Sequence, residues 1–288
     1  MSRRVLVTGG ASGLGAALAA AFAARGDRVL VTDIGAEPPA QLPPSASYLR
    51  LDVTSQEDWD AARERVVTEF GGLDLLINNA GVAAGGRIEL LDLDEWRWIT
   101  EINLFGVVRG CRTFTPLFKE QGSGHLVNTA SMAGLVHPPA MSSYNAVKSA
   151  VVALSETLRF ELEPFGIAVS VVCPSFFRTN LASSMRGSDP MMQSVARKLI
   201  ERSRLGAEEI AAIVVKAVDR RTPLILTDKA GRRAYLAKRF LAPLYVRQML
   251  AFGEKLRRGG EQADRERADR EQAARAQESA PAAAEGER

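Results

Sequence analysis

Short β-branched apolar runs alternate with helix-length amphipathic segments along this chain, and that alternation decides its fold class. The runs fall at 5–7, 29–31, 48–51, 73–77, 125–129, 168–172 and 224–226. Most of them are predominantly apolar, as strands covered on both faces are. Between them, Leu14, Leu18, Ala21 and Phe22 recur at helical spacing, with Gly26 as a stop. Thr54 with Glu57 predicts a capping box for a helix running to Phe70. Asp92 predicts the cap of a helix carrying Trp96, Ile99, Asn103 and Val107. Right-handed crossovers then give an α/β fold: a doubly wound parallel sheet with helices on both faces and its crevice at the strands' carboxyl ends.

Composition narrows what remains. At 288 residues and 46% hydrophobic, the chain suffices for one large domain with length left over. It has no run of 18 apolar residues, which excludes a membrane-spanning helix. A net charge of +3 is too small to argue for nucleic acid. Cys111 and Cys173 lack metal spacing and read as reduced core thiols. The two histidines, His125 and His137, offer no zinc cluster, so no metal is expected. The apolar run near the start is too short for a signal peptide, and a cytoplasmic protein is the expectation.

Three local patterns carry chemistry. The first is TGGASGLG at 8–15, after a strand and opening a helix. Glycines serve ordinary turns equally well, but Gly9, Gly13 and Gly15 in this setting suit a pyrophosphate on a helix N-terminus. The second is Asp33 at the end of the next strand, where an acid bonds adenosine ribose hydroxyls; as an alternative it is a turn residue. Its carboxylate repels a 2′-phosphate, and neither Ser12 nor Ile34 brings a counter-charge, which favours NAD over NADP. The third is Tyr144 and Lys148, four residues apart in a helical segment and so on one face. A nearby ammonium favours the phenolate and brings its pKa toward working range. Ser131 closes a strand-and-turn unit where such a sheet does its chemistry, and Asn103 sits mid-helix, where an amide needs a partner. Taken singly, each has a plain structural explanation: a helix face, a turn and a buried hydrogen bond.

Together these motifs resemble the short-chain dehydrogenase/reductase superfamily in its single-domain NAD(P)-dependent subgroup. The resemblance covers roughly residues 3 to 228. TGGASGLG, LDV at 51–53, NNAG at 78–81, INLFG at 102–106, the serine of NTASMAG and YNAVK at 144–148 carry it. It implies a Rossmann fold with cofactor contacts from Gly9, Ser12, Gly13, Leu14, Gly15, Asp33, Asp52, Val53, Asn79, Tyr144, Lys148, Pro174, Phe177 and Thr179. By the same resemblance, Asp52 meets the adenine amino group, Asn79 lines the ribose and Thr179 meets the carboxamide. Tyr144 is the acid/base group and Lys148 lowers its pKa. Ser131 orients the substrate carbonyl, and Asn103 holds a water of a proton relay. One departure stands out: the family's Pro-Gly after the sixth strand is Pro174-Ser175 here, followed by Phe176 and Phe177. Serine tolerates that site if φ is negative.

The expected activity is NAD-dependent interconversion of a secondary alcohol and a ketone. The expected substrate is hydrophobic, held by Phe176, Leu135, Pro138 and Met141 and by a lid with Met185, Met191 and Met192. A homodimer or homotetramer is expected. A non-catalytic NAD-binding regulator is one alternative, although the complete Ser131, Asn103, Tyr144 and Lys148 set argues against it. A second is an NADPH-dependent ketoreductase of lipid-like substrates at a membrane surface. A third, a sugar-nucleotide epimerase, has wider glycine spacing and a larger C-terminal domain. The chain divides into a catalytic domain at 1–228, a basic amphipathic helical extension at 229–258 and a tail at 259–288. Leu236, Phe240 and Leu244 share a helical face of the extension, which Pro243 interrupts. It reads as a subunit interface or a cover over the cleft, with anionic membrane contact as the alternative. The tail, with five basic and eight acidic residues and no large aliphatic, reads as disorder or a solvated, fraying helix.

Overall fold

Each apolar run becomes a strand of one sheet in the computed structural model, which describes residues 2–179 and 189–278. The strands are β1 (Arg4–Thr8), β2 (Arg28–Asp33), β3 (Ala46–Arg50), β4 (Leu75–Asn78), β5 (Gly124–Thr129), β6 (Ile167–Cys173) and β7 (Leu224–Leu226). All pair in parallel, in the order β3-β2-β1-β4-β5-β6-β7. The order reverses between β1 and β4, and that switch point opens a crevice at their carboxyl ends.

The period-two alternation of each strand sorts the core into two layers. Leu6, Leu30, Leu76, Leu126 and Val169 face one side, against α2 (Gln56–Arg65), α4 (Gly106–Gln121) and α6 (Ser142–Leu162). Val5, Val7, Val29, Val31 and Ile77 face the other, against α1 (Gly13–Ala23) and α8 (Ala207–Asp219). Helices cover both faces, which is why most of the runs lack polar alternation.

Two helix expectations need correction. The cap of α2 is Ser55, whose hydroxyl accepts from the Asp58 N–H; Thr54 instead donates to the Asp52 carboxylate at 2.8 Å. Asp92 does cap α3 (Leu93–Thr100), accepting from the Glu95 N–H at 2.6 Å. However, the helix through Asn103 is not uniform: a π turn at Glu101–Phe105 separates α3 from α4. Past β6 come α7 (Pro190–Glu201), α9 (Lys229–Phe240) and α10 (Ala242–Glu278), with the short α5 (Ala133–Val136) earlier beside the crevice. Pro243 falls in the first turn of α10, where its missing N–H costs nothing. The last helix runs through Gly259 to Glu278 without a break, exposed at most of the positions whose side chains are described.

Candidate active site

The loop after β1 turns into α1 beneath the switch point. Gly9 and Gly13 take positive φ, and a Cβ at Gly15 would lie 2.0 Å from the Gly9 carbonyl oxygen. Only glycine allows that approach. The Asn79 amide fixes the loop from the end of β4, donating to the carbonyls of Thr8 and Gly9 at 3.0 and 3.3 Å. A cleft of about 300 Å³ follows, lined by Gly9, Ser12, Gly13, Leu14, Asp33 and Asp52, with Val53, Asn79 and Thr179. Asp33 accepts from the backbone N–H groups of Ala11 and Ile34, so its carboxylate is held at the rim. Among the described residues lining this cleft, none is basic.

A second cavity of about 390 Å³ continues from the first, sharing Leu14, Asn79, Gly81, Val82 and Thr179 with it. Ser131, Tyr144, Lys148, Pro174 and Phe177 line it. Ser131 follows β5, and its hydroxyl accepts from the Ala133 N–H at 3.1 Å. Tyr144 and Lys148 project one turn apart from α6, both buried, and Lys148 Nζ donates to the Thr129 carbonyl at 2.9 Å. Asn103 stands behind the cavity, fully buried, with its side chain paired to the Val82 backbone in both directions at 2.8 Å. Gly81 separates it from the lysine: a Cβ there would lie 2.8 Å from Asn103 Oδ1 and 3.6 Å from Lys148 Nζ.

Burial sets the electrostatics. It pushes the Tyr144 phenol up to about 12, against a hydrogen bond from Ser131 that pulls it down. It also pushes the Lys148 ammonium down to about 8. The expected depression of Tyr144 by Lys148 does not counter that rise in this geometry, where Nζ lies 5.8 Å from the tyrosine ring centroid and donates to Thr129. Cys111 and Cys173 are free and buried, each thiol pushed up to about 12 by desolvation, as core thiols are.

The wall differs in detail from expectation. Val136, Pro138, Met141 and Phe176 line the cavity, whereas Leu135 turns into the core. From α7 it is Ala196 and Ile200 that reach the cavity rather than Met191 and Met192, while Met185 lies outside the described residues. Ala230, Gly231 and Ala234 of α9 complete the wall, unforeseen from the sequence. The four-residue spacing of Met192, Ala196 and Ile200 carried that signal for α7; for α9 the sequence offers only small residues at i and i+4. Ser175 takes no positive φ, so the missing glycine costs the loop nothing.

A family model described as short chain dehydrogenase matches residues 3–189. A relative named 3-alpha-(or 20-beta)-hydroxysteroid dehydrogenase, from Mycobacterium bovis, is 41% identical over 178 residues, covering 60% of this chain and 68% of its own. The 2-(R)-hydroxypropyl-CoM dehydrogenase of Xanthobacter autotrophicus is 32% identical over 229 residues, covering 76% and 90%. A short chain dehydrogenase/reductase from Burkholderia phymatum, solved in complex with NAD, superposes with a TM-score of 0.76 at 29% identity, over 84% of this chain and 95% of that one. One from Burkholderia cenocepacia, solved with NADP, gives 0.73 at 26% identity, over 85% and 97%. A match across more than half of the chain, on the same sheet and crevice, shows that this protein belongs to the short-chain dehydrogenase/reductase superfamily of oxidoreductases.

Proposed function

We propose that the protein interconverts a hydrophobic secondary alcohol and its ketone, with NAD(H) as the hydride carrier. The observation that carries this reading is the convergence of Ser131, Tyr144 and Lys148 on one apolar cavity that opens into the glycine-lined cleft ending at Asp33. The cleft suits a dinucleotide: the crowded Gly15 approach leaves room for nothing but backbone, and the α1 N-terminus offers free N–H groups to phosphates. Gly9, Ser12, Gly13, Leu14 and Gly15 would hold the pyrophosphate. Asp33, Asp52, Val53 and Asn79 would hold the adenosine half, and Pro174, Phe177 and Thr179 the nicotinamide end. When bound, the cofactor accepts or donates the hydride.

The chain's own residues handle the proton and the oxygen. In oxidation Tyr144 Oη takes the substrate hydroxyl proton, and in reduction it returns it. The Ser131 hydroxyl donates to the substrate oxygen as charge develops on it. Lys148 brings a cation within reach of the phenol and the cofactor ribose. Asn103 is a positioning residue, since both ends of its amide are engaged by Val82. Val136, Pro138, Met141, Phe176 and Ile200 select an apolar substrate body. The catalytic body spans 1–228, and the extension at 229–258 supplies part of the wall.

Tyr144→Phe tests the mechanism. Turnover falls by about a thousandfold while NADH binding changes less than about twofold; retained turnover overturns the assignment. Asp33 tests the cofactor: NADH binds at least about tenfold tighter than NADPH, and Asp33→Ser narrows the gap. Titration by nicotinamide fluorescence reads both, and an NADPH preference in the unaltered chain rejects the ribose reading.

A further inference from the structure

We propose that the corner between α9 and α10 docks the protein on an anionic lipid bilayer. The inner side of this corner is fastened to the catalytic body. Gly231 and Tyr245 are buried, the Tyr245 hydroxyl donates to the Val136 carbonyl, and Lys238 Nζ donates to the Leu135 carbonyl at 2.6 Å. The outer side has no such cover. Leu236, Phe240, Leu241 and Leu244 are 41, 71, 55 and 50% exposed. Leu236 and Phe240 share a face of α9 at helical spacing, and Leu241 and Leu244 are exposed where the chain leaves that helix and enters α10. An exposed apolar ridge of this size on a well-anchored corner marks a contact surface.

Charge identifies the occupant. Residues 229–253 hold six basic side chains and no acidic one. Arg232, Arg233, Arg239 and Arg247 are exposed on the same outer side, flanking these apolar residues at i±3 and i±4. A second copy seated on this face by a two-fold axis would set these cations against themselves, with no carboxylate from the segment to offset them. A bilayer rich in anionic lipid offers both chemistries at once. Its headgroup–acyl boundary accepts Phe240 and the leucines, and its negative surface potential draws the guanidinium groups, whose stems lie along apolar surface. No helix among the described residues is long and apolar enough to span a membrane, so the contact is peripheral. The proposal stands on this surface and does not depend on the reaction assigned to the cavity.

The test uses the full chain and vesicles of phosphatidylcholine alone or with about 30% phosphatidylglycerol. Flotation should recover at least about tenfold more protein with the anionic vesicles, and raising salt from about 0.05 to 0.5 M should reverse that gain. Arg233→Glu combined with Arg239→Glu should abolish it. Phe240→Trp should show a blue-shifted emission component on anionic vesicles that the parent, with its native tryptophans, does not. Every substituted side chain is exposed, and circular dichroism verifies the fold. Absence of flotation with anionic vesicles overturns the proposal. So does flotation of the Phe240→Trp variant without that blue shift, which would mean attraction to any polyanion or acidic protein. A mass by light scattering that falls in the Phe240→Ser, Leu244→Ser double variant also overturns it, by making the ridge an interface between copies.

Discussion

Lys148 meets two opposed demands. In the proposed mechanism it carries a charge within reach of Tyr144, yet it is buried where a charge is costly: its ammonium is pushed down to about 8 from an ordinary 10.5. A lysine whose folded pKa lies below its unfolded value costs stability in full below the folded pKa, and the cost fades as pH rises to the unfolded one. The window here is about pH 8 to 10.5, and the gap corresponds to about 3 kcal/mol. Lys148→Met removes that cost and forfeits the hydrogen bond to Thr129, worth about 1 kcal/mol. The variant should therefore be inactive and more stable than the parent by about 2 kcal/mol at pH 7. Its advantage should shrink as pH rises from 8 toward 10.5. Denaturant melts at pH 7 and 10 measure both, and equal or lower stability at pH 7 would show that burial does not strain this lysine.

At the scale of elements, Arg87 ties α7 to α10. Its guanidinium meets Asp189, the fully buried N-cap of α7, at 2.9 Å, and Asp264 on α10 at 2.6 and 3.0 Å. The two carboxylates are not equivalent. Asp264 is 59% exposed, so Asp264→Ala should cost less than about 1 kcal/mol. Arg87→Ala removes the cation that pairs buried Asp189 among the described residues and should cost about 3–5 kcal/mol. Thermal melts of the two variants should separate clearly; similar shifts would mean that α10, not the buried cap, carries the energy. This clasp also shows where sequence reading stops. Strands and caps are local, so the apolar runs, Asp92 and the glycine loop were legible. Arg87 and Asp264 are 177 residues apart, and nothing local pairs them. The π turn holding Asn103 was equally hidden, because an apolar period of 3.6 does not register one extra residue in a turn. The grouping of Ser131, Tyr144 and Lys148 on one cavity was legible because they follow a strand or share one helix face. The wall from α9 was not, because small residues signal close packing without saying against what.

Over the whole molecule, the candidate site sits at the carboxyl ends of the strands, and the opposite edge holds a buried imidazole. His125 is the second residue of β5, with Nε2 2.8 Å from Ser170 Oγ. The serine donates to the Thr222 carbonyl at 2.8 Å, so its oxygen must accept from His125, which fixes the neutral Nε2–H tautomer. Burial, with Arg221 and Arg3 nearby, pushes the imidazole down to about 3 from 6.5. The unfolded chain therefore takes up a proton from about pH 6.5 downward while the native one does not, and stability falls with acidification through that window to about pH 3. Asp74 loses its contribution in a more acidic window: burial raises its pKa, but hydrogen bonds from Arg4 hold it below the usual carboxylate value of 3.8. Between pH 6.5 and 4 the histidine should thus add a slope of about 1.4 kcal/mol per pH unit, or about 2 kcal/mol lost by pH 5. His125→Gln keeps a donor toward Ser170 and does not titrate. Its unfolding free energy, measured by urea melts from pH 7 to 4, should decline less steeply than the parent's by that slope. Parallel lines would place the acid sensitivity elsewhere, while convergence at pH 4 from a less stable variant at pH 7 would assign it to the buried imidazole.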